Sequence, residues 1–200
     1  MKVVGINGSS RKDGNTAILI KTIFEKLHEN GIETELIQLP DVTIAPCKMC
    51  EGGKCLACME KGTCVFTHDD FHIIFEKIKE ADGLILASPV YGADISAKMK
   101  VFIDRLGIAS LGNPDVLKRK PGAAVSAVRR GGGMTTVDTL NHFMLFREMI
   151  IVGSTYWNMV YGKDAGDVLN DSEGMANMRN IGENMTWLLK NLHAEQKKER

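Results

Sequence analysis

Short apolar runs alternate with segments in which apolar residues recur every three or four positions. Runs of mostly apolar residues bounded by glycine, proline or polar clusters predict β-strands. The second run is more polar than the others, so we expect it near a sheet edge. The predicted strands are residues 3–6, 33–37, 83–87 and 122–128, with a fifth that starts at 150–152.

The segments between these runs have the period of amphipathic helices. After the first strand, Ile20, Ile23, Phe24 and Leu27 share one helical face. The same spacing continues to the end of the chain, where Met178, Ile181, Met185, Leu188 and Leu192 recur. Further helices are predicted around residues 71–78, 96–106 and 140–144.

Regular alternation of strand and helix predicts the α/β class. Because parallel strands need crossover helices, the pattern favours a doubly wound, five-stranded parallel sheet with helices on both faces. We expect one domain over residues 1–200, since 200 residues with 44 % hydrophobic side chains suffice for one well-buried core. Residues 40–69 carry no clear period and predict a long irregular segment.

Composition excludes several classes of partner. The chain has 25 basic and 25 acidic side chains, so its formal net charge is zero. That balance gives no electrostatic basis for binding nucleic acid or an anionic membrane. No apolar run approaches the roughly 20 residues of a membrane span, and the chain begins directly with a predicted strand. We therefore expect a cytoplasmic protein.

Three irregular loops follow the predicted first, third and fourth strands. They comprise residues 8–16, 88–94 and 129–133. In a doubly wound sheet, ligands bind beyond the carboxyl ends of the strands, where the direction of winding reverses. We therefore expect these three loops to converge on one ligand.

The first loop has the features of a phosphate site. It leads from a strand into a helix N-terminus, where free N–H groups and the helix dipole favour an anion. It is neither a Walker loop nor a dinucleotide fingerprint, and a hydroxyl-rich helix cap remains the alternative. The candidate phosphate contacts are Ser9, Ser10, Arg11, Asn15 and Thr16.

The other two loops suit a planar ring. The second offers an aromatic side chain and backbone amides, and the third offers glycines and two arginines that can face carbonyl oxygens. A phosphate beside a planar heterocycle indicates a mononucleotide, and flavin mononucleotide (FMN) fits best. The alternative is a shaped turn and a solvated arginine pair. The candidate residues are Pro89, Val90, Tyr91, Gly92, Arg129, Arg130, Gly131 and Gly132.

All five cysteines lie within the long irregular segment. They are Cys47, Cys50, Cys55, Cys58 and Cys64. Disulfides that stabilise a fold usually join distant segments, so this clustering indicates metal ligation or redox chemistry in a reducing compartment. The cysteine-rich segment, about residues 45–68, is therefore a predicted metal-binding loop.

Several motifs in this order resemble the NADPH-dependent FMN reductase superfamily. They are Gly8-Ser9-Ser10-Arg11 with Gly14-Asn15-Thr16, Ser88-Pro89-Val90-Tyr91, and Ser96-x3-Lys100-x-Phe102-x-Asp104-Arg105. The cysteines and the following Asp69-Asp70 resemble its iron–sulfur flavoprotein branch. The resemblance implies a flavodoxin-like fold, bound FMN, a [4Fe-4S] cluster and a homodimer or homotetramer.

The ligand set implied by this resemblance is Cys47, Cys50, Cys58 and Cys64. The family spacing is C-x2-C-x2-C-x5-C, but seven residues separate Cys50 from Cys58 here, and one of them is Cys55. A set with Cys55 in place of Cys58 remains open. So does zinc, because Cys47-x2-Cys50 and Cys55-x2-Cys58 form two knuckle-like pairs, and so do free thiols.

The function expected from the residues and the resemblance is electron transfer. An FMN and iron–sulfur oxidoreductase would move electrons between ferredoxin or NAD(P)H and a small-molecule or protein acceptor. Arg129, Arg130 and amides near Tyr91 or Gly131 would tune the flavin; no catalytic acid, base or nucleophile is assigned. The alternatives are an NAD(P)H-dependent reductase with zinc or no metal, and a non-catalytic FMN-binding redox sensor.

Overall fold

The computed structural model describes residues 1–48 and 56–198, with side chains to residue 195. The strands are β1 Lys2–Asn7, β2 Glu33–Gln38, β3 Gly83–Pro89, β4 Pro121–Val128, β5 Ile150–Ile151 and β6 Met159–Tyr161. The helices are α1 Asn15–His28, α2 Leu56–Lys61, α3 Phe71–Glu80, α4 Ala97–Ala109, α5 Gly133–Phe146 and α6 Ser172–Lys198. Short 3-10 turns occur at Leu39–Asp41, Ser110–Gly112, Pro114–Val116 and Asp167–Asn170.

The strands form one parallel sheet with the order β2-β1-β3-β4-β5. This order confirms the predicted doubly wound, five-stranded sheet and places the polar strand β2 at an edge. Residue 5 of β1 pairs with Leu36 of β2 on one side and with Ile85 of β3 on the other. The reversal of winding therefore falls between β1 and β3.

The fifth strand position is divided into two pieces. Strand β5 pairs with the start of β4, and β6 pairs in parallel with the end of the same strand. Between the pieces, the Ser154 hydroxyl donates a hydrogen bond to Asn158 Oδ1. The backbone carbonyl of Asn158 accepts one from the Ser126 N–H. The prediction located the start of this strand but missed its interruption, because the residues that leave the sheet carry no distinctive period.

Alternate side chains of the sheet enter two separate cores. Val4 and Ile6 of β1 pack with α3, α4 and α5, whereas Val3 packs with α1 and α6. Strand β3 divides in the same way, with Leu84 and Leu86 on the first face and Ile85 on the second. Helices thus cover both faces, which explains why the central strands are apolar at most positions.

The expectation of an irregular segment over residues 40–69 was partly wrong. The segment contains the turn Leu39–Asp41 at its start and the six-residue helix α2. Helix α2 is too short to show a reliable hydrophobic period, and it is held by tertiary contacts rather than by its own propensity. Cys58 is its buried residue.

No helix among the described residues is long and apolar enough to cross a membrane. The carboxyl ends of β1, β3 and β4 lie side by side, because the three strands are neighbours in the sheet. The loops that follow them therefore begin at one edge of the molecule.

Candidate functional site

The loop after β1 holds its own shape through short-range hydrogen bonds. The Ser9 N–H donates to Asn7 Oδ1 at 2.9 Å, and Ser9 Oγ accepts from the Arg11 N–H at 3.1 Å. Ser9 is buried, whereas Ser10 and Arg11 are exposed. Ser9 thus shapes the loop, while the side chains of Ser10 and Arg11 face solvent.

Helix α1 begins without a side-chain cap. Its N-cap is Gly14, and its first turn holds no acidic residue. The first N–H groups of the helix therefore keep their preference for an anion. Thr16 in this turn is 1 % exposed, so it lies beneath the loop surface.

Asn15 is engaged with another loop. Its Nδ2 donates to the Asp164 carbonyl at 2.9 Å, and its Oδ1 accepts from the Gly166 N–H at 2.8 Å. The predicted phosphate contact is thus occupied in joining the loop after β1 to the one that follows β6. The N–H groups of Gly14 and Ala17 donate to the carbonyls of Arg11 and Gly14, so the backbone N–H groups of Asn15 and Thr16 are the donors left for an anion.

Ser96 connects the first two loops. Its Oγ donates to the Gly8 carbonyl at 2.7 Å and accepts from the Met99 N–H at 3.2 Å, which caps α4. Its N–H donates to Ser88 Oγ at 2.9 Å. Ser96 is 2 % exposed, so one buried side chain fixes the spacing of both loops.

The second and third loops are in close contact. Gly132 has φ +83°, and a Cβ there would lie 2.7 Å from Val90 Cγ1. Only glycine accommodates that conformation and that approach. Thr139 of α5 donates to the Asp94 carboxylate at 2.9 Å, which joins α5 to the second loop.

The three loops together fit the group that the sequence predicts. Gly92 and Gly131 border open space, where a Cβ would meet no atom within 4 Å. Two helices, α1 and α5, begin at this edge with no side-chain cap and no acid in their first turns. Tyr91, Arg129 and Arg130 are exposed beside them, and Pro89 and Val90 are half-buried. Uncapped amides, cations and an aromatic ring suit an anionic planar ligand such as FMN.

A second site lies under the cysteine-rich segment. Cys47, Cys58 and Cys64 line one cavity, whose other walls are mostly apolar. Cys58 is 5 % exposed and Cys64 is 9 % exposed, while Cys47 is half-buried. The remaining lining residues are Pro46, Lys48, Phe66, Arg105, Ile108 and Ala109.

Two of these sulfurs accept hydrogen bonds. The Val65 N–H donates to Cys58 Sγ at 3.4 Å, and Arg105 Nη2 donates to Cys64 Sγ at 3.1 Å. Donors aimed at sulfur stabilise thiolates and the clusters that thiolates bind. Three cysteines that line one cavity, mostly apolar walls and N–H donors to sulfur match the donor chemistry of an iron–sulfur cluster.

Arg105 is held by Asp69, which is itself 2 % exposed in its side chain. Asp69 also accepts from the N–H groups of Ala45 at 2.8 Å and Phe71 at 3.2 Å. Burial opposes ionisation of this carboxyl, but the Ala45 amide, Arg105 and the Phe71 amide together lower the pKa of Asp69. Asp104, which precedes Arg105 in α4, pairs with Lys100 and not with Arg105.

The predicted ligand Cys50 and its rival Cys55 lie outside the described residues. Among the residues that are described, no group of three or more His, Cys, Asp or Glu side chains is arranged to hold a single metal ion. The structure places Cys47, Cys58 and Cys64 around one cavity, and the ligand set as a whole stays a prediction.

Sequence reasoning missed the positioning roles of Ser96, Asp69 and Arg105. A serine three residues before Met99 signals a helix N-cap, so part of the role of Ser96 was detectable. Arg105 gives no such signal, because an arginine in an amphipathic helix normally faces water. Its burial depends on which loop covers the helix.

Comparison with known proteins agrees with this geometry. Residues 1–164 match the family described as NADPH-dependent FMN reductase. An iron-sulfur flavoprotein of Methanocaldococcus jannaschii is 40 % identical over 197 residues, which cover 95 % of this chain and 98 % of that protein.

Two solved structures show the same fold. The structure of RosB with a bound formylriboflavin-phosphate intermediate has a TM-score of 0.77 at 19 % identity and covers 97 % of this chain and 81 % of that one. A flavodoxin from the domain Archaea has a TM-score of 0.62 at 14 % identity, and the match covers 95 % of this chain and 99 % of that one. The fold is therefore flavodoxin-like, as predicted.

Proposed function

Because this chain belongs to the NADPH-dependent FMN reductase family and is an FMN-dependent oxidoreductase, we propose that it is an electron-transfer iron–sulfur flavoprotein. It passes electrons between a donor, ferredoxin or NAD(P)H, and a small-molecule or protein acceptor. The observation that carries the proposal is the single cavity lined by Cys47, Cys58 and Cys64. The similarity to a protein named as an iron-sulfur flavoprotein supports it.

The FMN site in this proposal is the edge formed by the loops after β1, β3 and β4. Backbone N–H groups at the start of α1, at Asn15 and Thr16, and the exposed side chains of Ser10 and Arg11 would bind the phosphate. Val90, Tyr91 and Gly92 would flank the ring from one side, and residues 129–132 would do so from the other. Arg129 and Arg130 would stabilise negative charge on its polar edge.

The cluster ligands in this proposal are Cys47, Cys50, Cys58 and Cys64. Two observations support Cys58: its side chain lines the cavity, and its sulfur accepts a hydrogen bond from the Val65 N–H. FMN accepts electrons singly or in pairs and an iron–sulfur cluster carries one at a time, so together they convert between two-electron and one-electron partners. The chain supplies position, burial and electrostatics for both.

The proposed assembly is a homodimer or homotetramer. A cluster and a flavin must approach closely for electrons to move between them. Cys47 is half-buried, so one end of the cysteine cavity lies near the surface, where a second copy or a redox partner can approach.

Metal analysis of anaerobically purified protein tests the proposal. We expect about four iron and four sulfide atoms per chain with bound FMN, and a brown colour. Stoichiometric zinc without iron would contradict the cluster assignment and favour a simple NAD(P)H-dependent reductase. NADH, NADPH and reduced ferredoxin should then be added separately. The physiological donor is the one that bleaches the flavin absorption spectrum.

Two matched variants test the ligand set. Cys58→Ser should lose most of the iron and sulfide, because it removes a buried thiolate from the cavity. Cys55→Ser should retain both. Both variants remove one sulfur from the same segment, so the reverse result would assign Cys55 as the ligand.

A further inference from the structure

Among the residues whose side chains are described, Arg105 is the largest that is fully buried, at 1 % exposure. It lies on α4, and the cysteine-rich segment covers it. A guanidinium stays charged in proteins, so burying one is costly unless other groups pair with it. Its contacts indicate where this charge acts.

The guanidinium divides its donors between an anion and a sulfur. Nη1 donates to the Asp69 carboxylate and to the Ala45 carbonyl at 3.3 Å. Nη2 donates to Cys64 Sγ at 3.1 Å and to the Phe66 carbonyl at 3.0 Å. Asp69 and Cys64 therefore contact different nitrogens of the same cation.

The charge of Asp69 does not cancel that of Arg105 completely. The carboxylate contacts Nη1, whereas the Cys64 sulfur contacts Nη2. The carboxylate also accepts from the Ala45 and Phe71 N–H groups, whose partial positive charges offset part of its field. The Phe71 ring centroid lies 4.3 Å from the guanidinium carbon, and the Phe66 ring centroid lies 5.4 Å away. These rings exclude water, so salt and solvent screen the contact with Cys64 only weakly.

We infer that Arg105 raises the reduction potential of the cluster bound through Cys64, by placing a buried positive charge against the Cys64 sulfur. The inference rests on the proposed function and deepens it. Reduction adds one negative charge to the cluster, and a nearby cation stabilises the reduced form more than the oxidised form. Hydrogen bonds to sulfur, net charge and burial are the protein's means of setting such potentials.

A purely structural role is the competing explanation. Arg105 also joins the carbonyls of Ala45 and Phe66, so its loss would loosen the segment around the cysteines. Asp69 anchors the same segment through the Ala45 N–H. Loosening would therefore affect Arg105 and Asp69 variants alike, whereas the electrostatic role predicts shifts of opposite sign.

The test is an anaerobic redox titration of the cluster in the iron-loaded protein. Arg105→Gln should lower the equilibrium constant for one-electron reduction at least tenfold, which corresponds to a fall in potential of at least about 59 mV. Arg105→Lys should restore most of the potential, because it keeps the charge. Asp69→Asn should raise the potential above that of the wild type, because it removes the opposing charge.

Lys120→Met is the control, since it removes a different buried cation, which does not line the cysteine cavity. It should leave the potential unchanged. If Arg105→Gln does not retain its cluster, the upward shift of Asp69→Asn decides the question. Equal potentials, or shifts of the same sign, in fully loaded Arg105 and Asp69 variants would overturn the inference alone. Wild-type protein without iron and sulfide would overturn the proposed function, and this inference with it.

Discussion

Lys120 illustrates how burial sets the properties of a single residue. It directly precedes β4 and is 9 % exposed, and its Nζ donates to the Ile78 carbonyl near the end of α3. Burial lowers the pKa of Lys120 to about 8, against a weak opposing effect of Asp82. A cation near a helix C-terminus is favoured by the dipole, but here the loss of water dominates.

This lowered pKa predicts a pH dependence of stability. Between about pH 8 and pH 10 the unfolded chain binds a proton at residue 120 that the folded chain has released. The free energy of unfolding contributed by Lys120 therefore rises with pH across that window, by at most about 1.4 kcal/mol per pH unit. Well below pH 8 both states are protonated, and the buried charge destabilises the fold by a constant amount.

Urea unfolding of the wild type and Lys120→Met at pH 7, 8 and 9.5 measures this effect. The unfolding free energy of the wild type minus that of Lys120→Met should rise by about 1–2 kcal/mol from pH 8 to pH 9.5. Between pH 7 and pH 8 it should change much less, by about 0.4 kcal/mol. A pH-independent difference would show that Lys120 keeps its ordinary pKa in the folded state.

The packing of α1 on the sheet shows how two elements constrain each other. A Cβ on Gly5 of β1 would lie 2.7 Å from Ile20 Cγ2 and 2.8 Å from Phe24 Cζ, both of which belong to α1. These side chains are buried, so neither can move into solvent. Glycine at this point of the strand allows the helix to approach closely.

Gly5→Ala should therefore destabilise the protein by about 1–3 kcal/mol through overpacking. Gly153→Ala is the matched control, because a Cβ there meets no atom within 4 Å. It should change stability by less than about 0.5 kcal/mol. Equal effects in urea unfolding would mean that α1 can shift to admit the methyl group.

At the scale of the whole molecule, the candidate FMN site belongs to no single element. It requires the ends of three neighbouring strands, the N-termini of α1 and α5, and the buried contacts of Ser96 and Gly132 that hold the loops together. A ligand that bridges these parts binds the folded state only, because the unfolded chain contains no such site.

FMN should accordingly stabilise the flavin-free protein against unfolding. At a concentration 100 times its Kd, the expected gain is about 2.7 kcal/mol. Riboflavin at the same concentration should stabilise less, because it lacks the phosphate that the start of α1 is proposed to bind. Equal stabilisation by the two compounds in thermal or urea unfolding would contradict the placement of the phosphate beside residues 9–16.

Much of the fold followed from local pattern. The apolar runs and helical periods predicted the order of elements and the parallel sheet, because burial on one or both faces imposes a period on side chains wherever they occur in the chain. The three loops at the carboxyl ends followed for the same reason. The interruption of the fifth strand at residues 152–158 and the helix α2 were not predicted, since segments this short carry too few positions to show a period.

The sequence by itself determined the fold class, the positions of the three loops and the clustering of the cysteines, because periodicity and spacing are local properties. Only the tertiary structure decided that Ser96 joins two loops, that Asn15 contacts residues 164–166, and that Arg105 lies beneath the cysteine-rich segment against Cys64. Each of these contacts joins residues far apart in the chain. Such pairings depend on how the elements pack in space, and the burial that turns a surface arginine into a charge beside a sulfur exists only after that packing is complete.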